Sequence, residues 1–480
     1  MSLPKSAPFT TTHPPMLFVG NYDEGIHVRS VNPSSLFGAN IDGAFHGHTT
    51  GALARKCVEV APRAIHMLGQ GDAALLYSPL PDGFAEYYAE LYGHEPRVYH
   101  PAEPYADLTQ PLDLIQMVLG DPELIGRLAA DGSKRDWHLE SFIGSPQVYE
   151  LGRRISLPVR GFGENAVLAD AVARLNDKAL FQRWCHEHDI PTPPSTHVSG
   201  WESLMLEAER QFDERGSVML RRARAAGGLG NCLVSPTTMR EAGTGSVREH
   251  LKLKLQPHEE WEHEVVLVEP ELVVVASPSV LARAHGNSVE IVGVIDQVLK
   301  GTEYIGGNVP TVESSQDAAQ LINWTMLYGL THFIPQGGQG WFDIDFGRLP
   351  DGTFVAFESN GRCTGNNHGL AVRRRLMARH DPGSVHAWTN DALKVAPKTT
   401  FQDVLRGLNG ALWSAKRGDG VVITIPPQGG SMGYIALATS SGRKLELRDE
   451  MNEFAASTHR QSRHTSVPSH EVVTGASSPA

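Results

Sequence analysis

Residues 340–362 read GWFDIDFGRLPDGTFVAFESNGR. Two alternating apolar and polar runs meet at Pro350-Asp351-Gly352, a pattern that predicts a β-hairpin. With Asp351 and Gly352 as a two-residue turn, Pro350 faces Thr353, Asp345 faces Glu358 and Asp343 faces Asn360. Directly opposed residues share one face with Cβ atoms roughly 5 Å apart, so like charges there destabilise the sheet unless a cation offsets them. The donors are all oxygens, from carboxylates and one carboxamide, which suits magnesium or manganese. Asp345, Glu358 and Asn360 are therefore candidate metal ligands. Arg362 leaves the strand on the same side as Asn360 and can grip phosphate oxygens bidentately. The same alternation also describes the solvent-facing side of an ordinary hairpin, so the neighbouring segments must decide.

Upstream, strand-like Ser217–Arg221 runs into RARAAGGLGN at 222–231. Gly227, Gly228 and Gly230 let backbone N–H groups approach an anion, and Arg221, Arg222 and Arg224 supply charge at the mouth of the loop. Lys178 lies on a helix that the apolar period predicts over Glu164–His188, stopped by Asp189-Ile190-Pro191. Glu269 ends the apolar run Val265–Val268, where a carboxylate can bind a ribose hydroxyl. Taken singly, each of these charges fits a solvated surface equally well.

Composition narrows the partners. The 480 residues carry 42 Lys and Arg against 54 Asp and Glu, a net charge of −12, which offers no electrostatic footprint for nucleic acid or an anionic membrane. Cys57, Cys185, Cys232 and Cys363 form no CxxC pair, arguing against a disulfide framework or thiolate zinc cage and for a cytoplasmic setting. The N-terminus lacks the apolar core of a signal peptide, and the apolar stretch 265–276 is interrupted by Glu269, Pro270 and Glu271. Gly69-Gln70-Gly71 precedes a strand-like run rather than a helix, so it is no dinucleotide fingerprint. His258 and His263 are five residues apart and face different sides of a helix, so they form no zinc motif. Neither a GxSxG elbow nor a GxxxxGK[ST] loop occurs.

The chain divides into a disordered tail (1–15), an α/β unit (16–160), a core (161–390) with the glycine-loop part at about 190–268, a small C-terminal α+β element (391–455) and a second disordered tail (456–480). In the first unit the runs 16–20, 64–68, 72–78 and 97–100 are β-like, and Asp82–Gly93 and Asp113–Gly132 are helix-like, which predicts a mainly parallel sheet. Further strands are expected at Glu264–Val268, Leu272–Ala276 and Val289–Ile295, and a helix at Gln316–Phe333. A polar connection is then followed by a helix over Phe401–Ser414 and strands at 420–427 and 433–440.

Taken in order, these segments resemble the ATP-grasp superfamily. NDKALFQRWCHEHDIPTPPS (176–195) resembles its Asp-Lys, helix, Gly-Ile-Pro-x-Pro opening, with Asp189 in place of the glycine. VMLRRARAAGGLGN (218–231) resembles the strand and glycine loop, VVLVEPEL (265–272) the hinge to the nucleotide, and FDIDF with FESNGR the magnesium and phosphate signature. The thirteen-residue spacing from Asp345 to Glu358 is that of D-alanine ligases, but Asp343 stands where those enzymes carry an arginine. Arg221 occupies the place of the usual lysine, which keeps the charge and changes the geometry; Arg222 is the other candidate for that role. The overall layout resembles the pre-ATP-grasp peptide ligases of the pheganomycin type.

The resemblance implies an α/β and α+β fold: an N-terminal pre-ATP-grasp α/β domain, a two-subdomain ATP-grasp core and a small C-terminal α+β element. It implies ATP and Mg2+ (or Mn2+) as cofactors, and small-molecule or peptide carboxylate and amine substrates. An oligomer is compatible with it. The implied reaction phosphorylates a carboxylate, and an amine then displaces the phosphate to give an amide, with release of ADP and phosphate. By this resemblance Lys178, Arg221, Gly227, Gly228 and Gly230 cradle the phosphates and Glu269 binds ribose or adenine. Asp345, Glu358 and Asn360 hold the metal, and Arg362 stabilises the transition state. Cys363 reads as packing rather than a nucleophile and His368 as a loop histidine, with Gly306–Pro310 and Gly365–Leu370 as substrate loops. Two alternatives stay open: another ATP-grasp reaction, carboxylation or small-molecule phosphorylation, and a nucleotide-binding regulatory protein without turnover.

Overall fold

The structure, a computed structural model, describes residues 14–26, 51–103, 110, 112–225, 230–255, 261–301, 303–309, 315–380 and 384–464. The segments 1–13 and 465–480, expected as tails, lie outside the described residues.

Strands β1 (Met16–Val19), β2 (Ala73–Leu75), β3 (Arg97–Tyr99) and β4 (His138–Ser141) make a parallel sheet in the order β3-β2-β1-β4. Every residue of β1 and β2 is buried, as a parallel sheet covered on both faces requires. The flanking helices start at Asp113, Asp121 and Ser145, whose side chains accept from Gln116 N, Leu124 N and Val148 N. Of the run Ala64–Leu68, expected to be β-like, all but Leu68 belongs instead to the 3-10 segment Ala61–Met67. Pro62 in its first turn favours a helical start and withholds the N–H that a central strand needs.

A second sheet is antiparallel, with β5 (Thr196–Ser199), β6 (Val218–Arg222), β7 (Asn231–Val234) and β8 (Val265–Glu269) in the order β5-β8-β6-β7. It encloses its own core of Leu204, Met205, Leu220, Val266 and Val268 under the helices Trp201–Arg215 and Val247–Lys254. The third sheet is the largest. Its eight strands are β9 (Pro278–His285), β10 (Ser288–Lys300), β11 (Glu303–Val309), β12 (Gly340–Arg348), β13 (Phe354–Asn360), β14 (His386–Lys394), β15 (Gly420–Gln428) and β16 (Ser431–Ala438). They are ordered β13-β12-β9-β10-β11-β14-β16-β15.

The C-terminal region is α+β, with helices Phe401–Gly407 and Ser441–His464 around β15 and β16. Its strands nevertheless extend the large sheet, because β14, inside the expected polar connection, pairs with both β11 and β16. Residues 456–464, expected to belong to the C-terminal tail, are part of the last helix. Leu272–Ala276 is not a strand: it touches the sheet through the Ala276–Arg348 bridge, and Val273 and Val275 are exposed. Gly306–Val309 and Asn366–Leu370 are not loops but parts of β11 and of the helix Asn366–Leu376; Pro310 lies outside the described residues. The helix expected at Gln316–Phe333 runs Ser315–Tyr328 and ends in a π-helical turn, Gly329–Phe333.

The helix expected over Glu164–His188 is three, Glu164–Leu168, Ala171–Leu175 and Lys178–Glu187. Asp170 breaks it with φ 62°, and Asp177 restarts it as an N-cap accepting from Ala179 N and Leu180 N. Lys178 thereby becomes the first residue of a helix, with its backbone N donating to Ala223 O at 2.9 Å. Asp189, standing for the usual glycine, has φ 54°, the left-handed conformation that glycine adopts without strain. A β-branched residue there pays about 1–2 kcal/mol. Thermal denaturation is expected to show Asp189→Val destabilised by about that amount while Asp189→Gly retains full stability.

Candidate active site

Hairpin β12–β13 pairs Asp343 with Asn360 and Asp345 with Glu358, as the alternation predicts. Its turn differs from the expected one. Leu349 N donates to Thr353 O at 2.8 Å, so the loop has three residues, 350–352, with Gly352 at φ 88°. Near the turn the register is thus offset by one, with Arg348 opposite Phe354 and Phe346 opposite Ala356. A β-bulge between Asp345 and Phe346 on one strand, at Phe357 on the other, restores it before the carboxylates are reached. Gly347 accommodates the bulge, since a Cβ there would fall against the Phe357 ring.

A cavity of about 1230 Å³ opens between this hairpin, the β5–β8 sheet and the N-terminal unit. Lys178, Arg221, Glu269, Asp345, Glu358, Asn360 and Arg362 all line it. Lys178 Nζ lies 2.9 Å and Arg221 NH2 3.3 Å from the same oxygen of Glu358. Burial pulls the Glu358 carboxyl upward, but Lys178 and Arg221 outweigh it and hold its pKa at about 2. Burial lowers that of the Lys178 ammonium, against the pull of Glu358. Arg221 also lies 3.4 Å from Glu269 and 5.3 Å from the Phe357 ring centroid, so the bulged residue supports the cation. Glu269 is fixed from the far side by Gln182 Nε2 at 2.7 Å.

Asp343 and Asp345 carry the opposite burden. Burial pushes the Asp343 carboxyl up to about 6, and burial with the nearby Asp343 and Glu358 charges pushes Asp345 well above the usual range. Asn360 Nδ2 donates to Asp343 Oδ1 at 2.9 Å and to Asp345 Oδ2 at 3.2 Å, and Gln297 Nε2 to Asp345 Oδ1 at 2.9 Å. A polarised amide thus stands between carboxylates that repel one another. Among the described residues no three His, Cys, Asp or Glu side chains are gathered as a metal cluster. The expected set is two carboxylates and a carboxamide, and oxygen donors whose two carboxylates repel one another fit a hard divalent cation.

The cavity sorts the other candidates. Arg222 faces away from it, as strand alternation after Arg221 demands, and pairs with Glu264 at 2.7 Å. Arg221 is therefore the cavity residue of the two. Arg224 and Gly230 are also off the wall; a Cβ at Gly230 would collide with Ala225, and its carbonyl accepts from Arg222 N. Gly227 and Gly228 lie outside the described residues. Cys363 lines the cavity, but burial pushes its thiol well up, away from the thiolate form a nucleophile needs. His368 is helical and off the wall, with Nε2 3.3 Å from Asp391 Oδ1. Asn176 was missed by the sequence reading: its Oδ1 accepts from both Arg362 NH1 and Gly361 N. The signal was its position two residues before Lys178, inside the same Asn-Asp-Lys motif.

No protein-family model matches the chain, and no curated protein sequence is significantly similar to it. Similar solved structures include biotin carboxylase from Campylobacter jejuni in a β-γ-ATP complex, 12% identical with a TM-score of 0.52, covering 92% of this chain and 94% of that one. Pyruvate carboxylase from Rhizobium etli is 13% identical with a TM-score of 0.51, over 91% of this chain and 37% of that one. An N5-carboxyaminoimidazole ribonucleotide synthetase solved with ADP is 12% identical with a TM-score of 0.50, over 83% and 95%. The chain has the ATP-grasp fold. Such identities speak to architecture alone. Within this ATP-grasp fold no helix of the described residues is long and apolar enough to cross a membrane. Gly347→Ala is expected to displace the Phe357 ring and to cost about 1–3 kcal/mol of stability in chemical denaturation. An unchanged midpoint would show that the bulge does not need the glycine.

Proposed function

We propose that the protein is an ATP-dependent carboxylate–amine ligase that works through an acylphosphate and releases ADP and phosphate. One observation carries the reading: a single cavity is lined by the cations Lys178, Arg221 and Arg362 and by the oxygen donors Asp345, Glu358 and Asn360. Phosphoryl transfer asks a protein for positioning and charge neutralisation rather than covalent chemistry, and that is what this wall offers. Asp345, Glu358 and Asn360 are the residues that would hold magnesium, which when bound supplies Lewis-acid neutralisation of phosphate charge. Lys178 and Arg221 would leave Glu358 to meet the phosphates, with Glu269, held by Gln182, at the ribose or adenine. Arg362, held by Asn176, would stabilise charge on the acylphosphate and on the tetrahedral intermediate formed by the amine. The N-terminal parallel sheet joined to this core supports assignment to the pre-ATP-grasp peptide ligases of the pheganomycin type, with a cytoplasmic setting.

The test is ADP and phosphate release against a panel of carboxylates, bicarbonate included, with and without amines. Amine-dependent release with an amide product is expected. Bicarbonate-dependent release would make the protein a carboxylase, and a phosphorylated product without an amine would make it a kinase. Glu358→Ala is expected to fall at least about a hundredfold in turnover, with an unchanged circular dichroism spectrum; normal turnover would sink the metal assignment. Mg2+ and ADP together at about 100 times Kd should stabilise the protein by about 2.7 kcal/mol, measured by thermal denaturation. Mg2+ alone is expected to add little, because Glu358 is already neutralised by two cations.

A further inference from the structure

The cavity does not end at Arg362. It continues to a second wall made by Tyr22, Val60, Arg63, Phe142, Tyr304 and Asp391. Two of these are charged and largely enclosed, with side chains 11% exposed at Arg63 and 6% at Asp391. Arg63 comes from the 3-10 segment of the N-terminal unit and Asp391 from β14, 328 residues apart in sequence. Arg63 NH1 donates to Asp391 Oδ2 at 2.7 Å, and the guanidinium lies 5.3 Å from the Tyr22 ring centroid. Behind Asp391 stands His368, 2% exposed, with Nε2 at 3.3 Å. The guanidinium is thus oriented from the rear and also meets the Tyr22 hydroxyl, and Asp391 is its one carboxylate partner among the described residues.

We infer that this end of the cavity is the acceptor subsite, taking a small amino-acid-like amine with an apolar side chain and anchoring that molecule's own carboxylate on Arg63. The inference rests on the ligase reading above. One guanidinium offers a fork matched to a carboxylate. Asp391 beside it keeps the local charge near zero, which suits a zwitterion and disfavours a phosphate dianion. Val60 and Phe142 supply an apolar wall for the side chain. The other ion pair at the rim, Lys56 with Glu303, is about half exposed and contributes little to recognition.

An acceptor that carries a carboxylate risks being phosphorylated itself. Holding that group on Arg63 keeps it from the magnesium residues and turns the amine toward Arg362. The ammonium first gives up one proton to solvent; the neutral amine then adds to the acyl carbon, the tetrahedral intermediate collapses as the C–O bond to phosphate breaks, and the second proton passes to the departing phosphate or to solvent. His368 is a positioning residue here, acting through Asp391.

The experiment uses the full chain with saturating Mg2+ and ADP, and measures calorimetric binding of L- and D-leucine, valine and phenylalanine. Each is compared with its amide and with its decarboxylated amine. At least one amino acid is expected to bind at least tenfold tighter than its two counterparts. Arg63→Gln is expected to abolish that preference while Mg2+–ADP affinity stays unchanged, and Arg63→Lys to restore it in part. The double variant Arg63→Gln, Asp391→Asn, which leaves no unpaired buried charge, should behave like Arg63→Gln. Equal binding of acids and amides, or a preference surviving Arg63→Gln, overturns the assignment. Failure to bind Mg2+–ADP at all would instead overturn the nucleotide reading beneath it.

Discussion

The site turns on one carboxylate shared by two cations. Glu358 holds Lys178 and Arg221 at hydrogen-bond distance inside a buried cleft, where an unpaired charge would be strongly destabilising. Those cations come from different parts of the chain, a helix start and the end of β6, so the contact ties the small β5–β8 sheet to the large one. Ligand binding must trade this pairing for another of equal quality: phosphate for the cations, metal for the carboxylate. Neither half of the trade is favourable alone, so metal and nucleotide affinities are expected to be coupled.

The scaffold places charge by simple devices. Strand alternation sends Arg221 into the cleft and Arg222 to Glu264 on the other face. An aspartate N-cap starts a helix one residue before Lys178. A bulge brings Phe357 beneath the Arg221 guanidinium and sets Glu358 opposite Asp345. The net charge of −12 does not oppose anion binding, because the field that matters is set by the few side chains on the wall.

The carboxylate pairs were recovered from the sequence because period-two alternation marks which residues share a face and because two local departures from the assumed hairpin offset one another. The bulge was not legible. A three-residue turn and one extra residue in β13 cancel, so a reading that assumes neither reaches the same pairs. The breaks at Asp170 and Asp177 were hidden by a continuous apolar period, which reports the face a residue occupies and not whether its backbone is interrupted. β14 was hidden by its polar, half-buried sequence HAWTNDALK. The pair Arg63 and Asp391 leaves no local trace, since each residue alone is an ordinary surface charge and only tertiary folding brings them together. Arg222 and Arg224 were credited to the cleft because the arginine-rich run was taken as a unit, without following the strand's alternation past Arg221.

The bulge at Phe357 also separates the two ends of the hairpin. Pairing beyond it is set by the offset at Phe346 and Ala356, and pairing at the carboxylates by the realignment that follows. The tip at 350–352 therefore lies beyond the realignment that sets the carboxylate pairs. It offers an attachment point where a fluorescent label can be spliced into the chain to follow movement of this strand pair without disturbing the register of the residues it reports on.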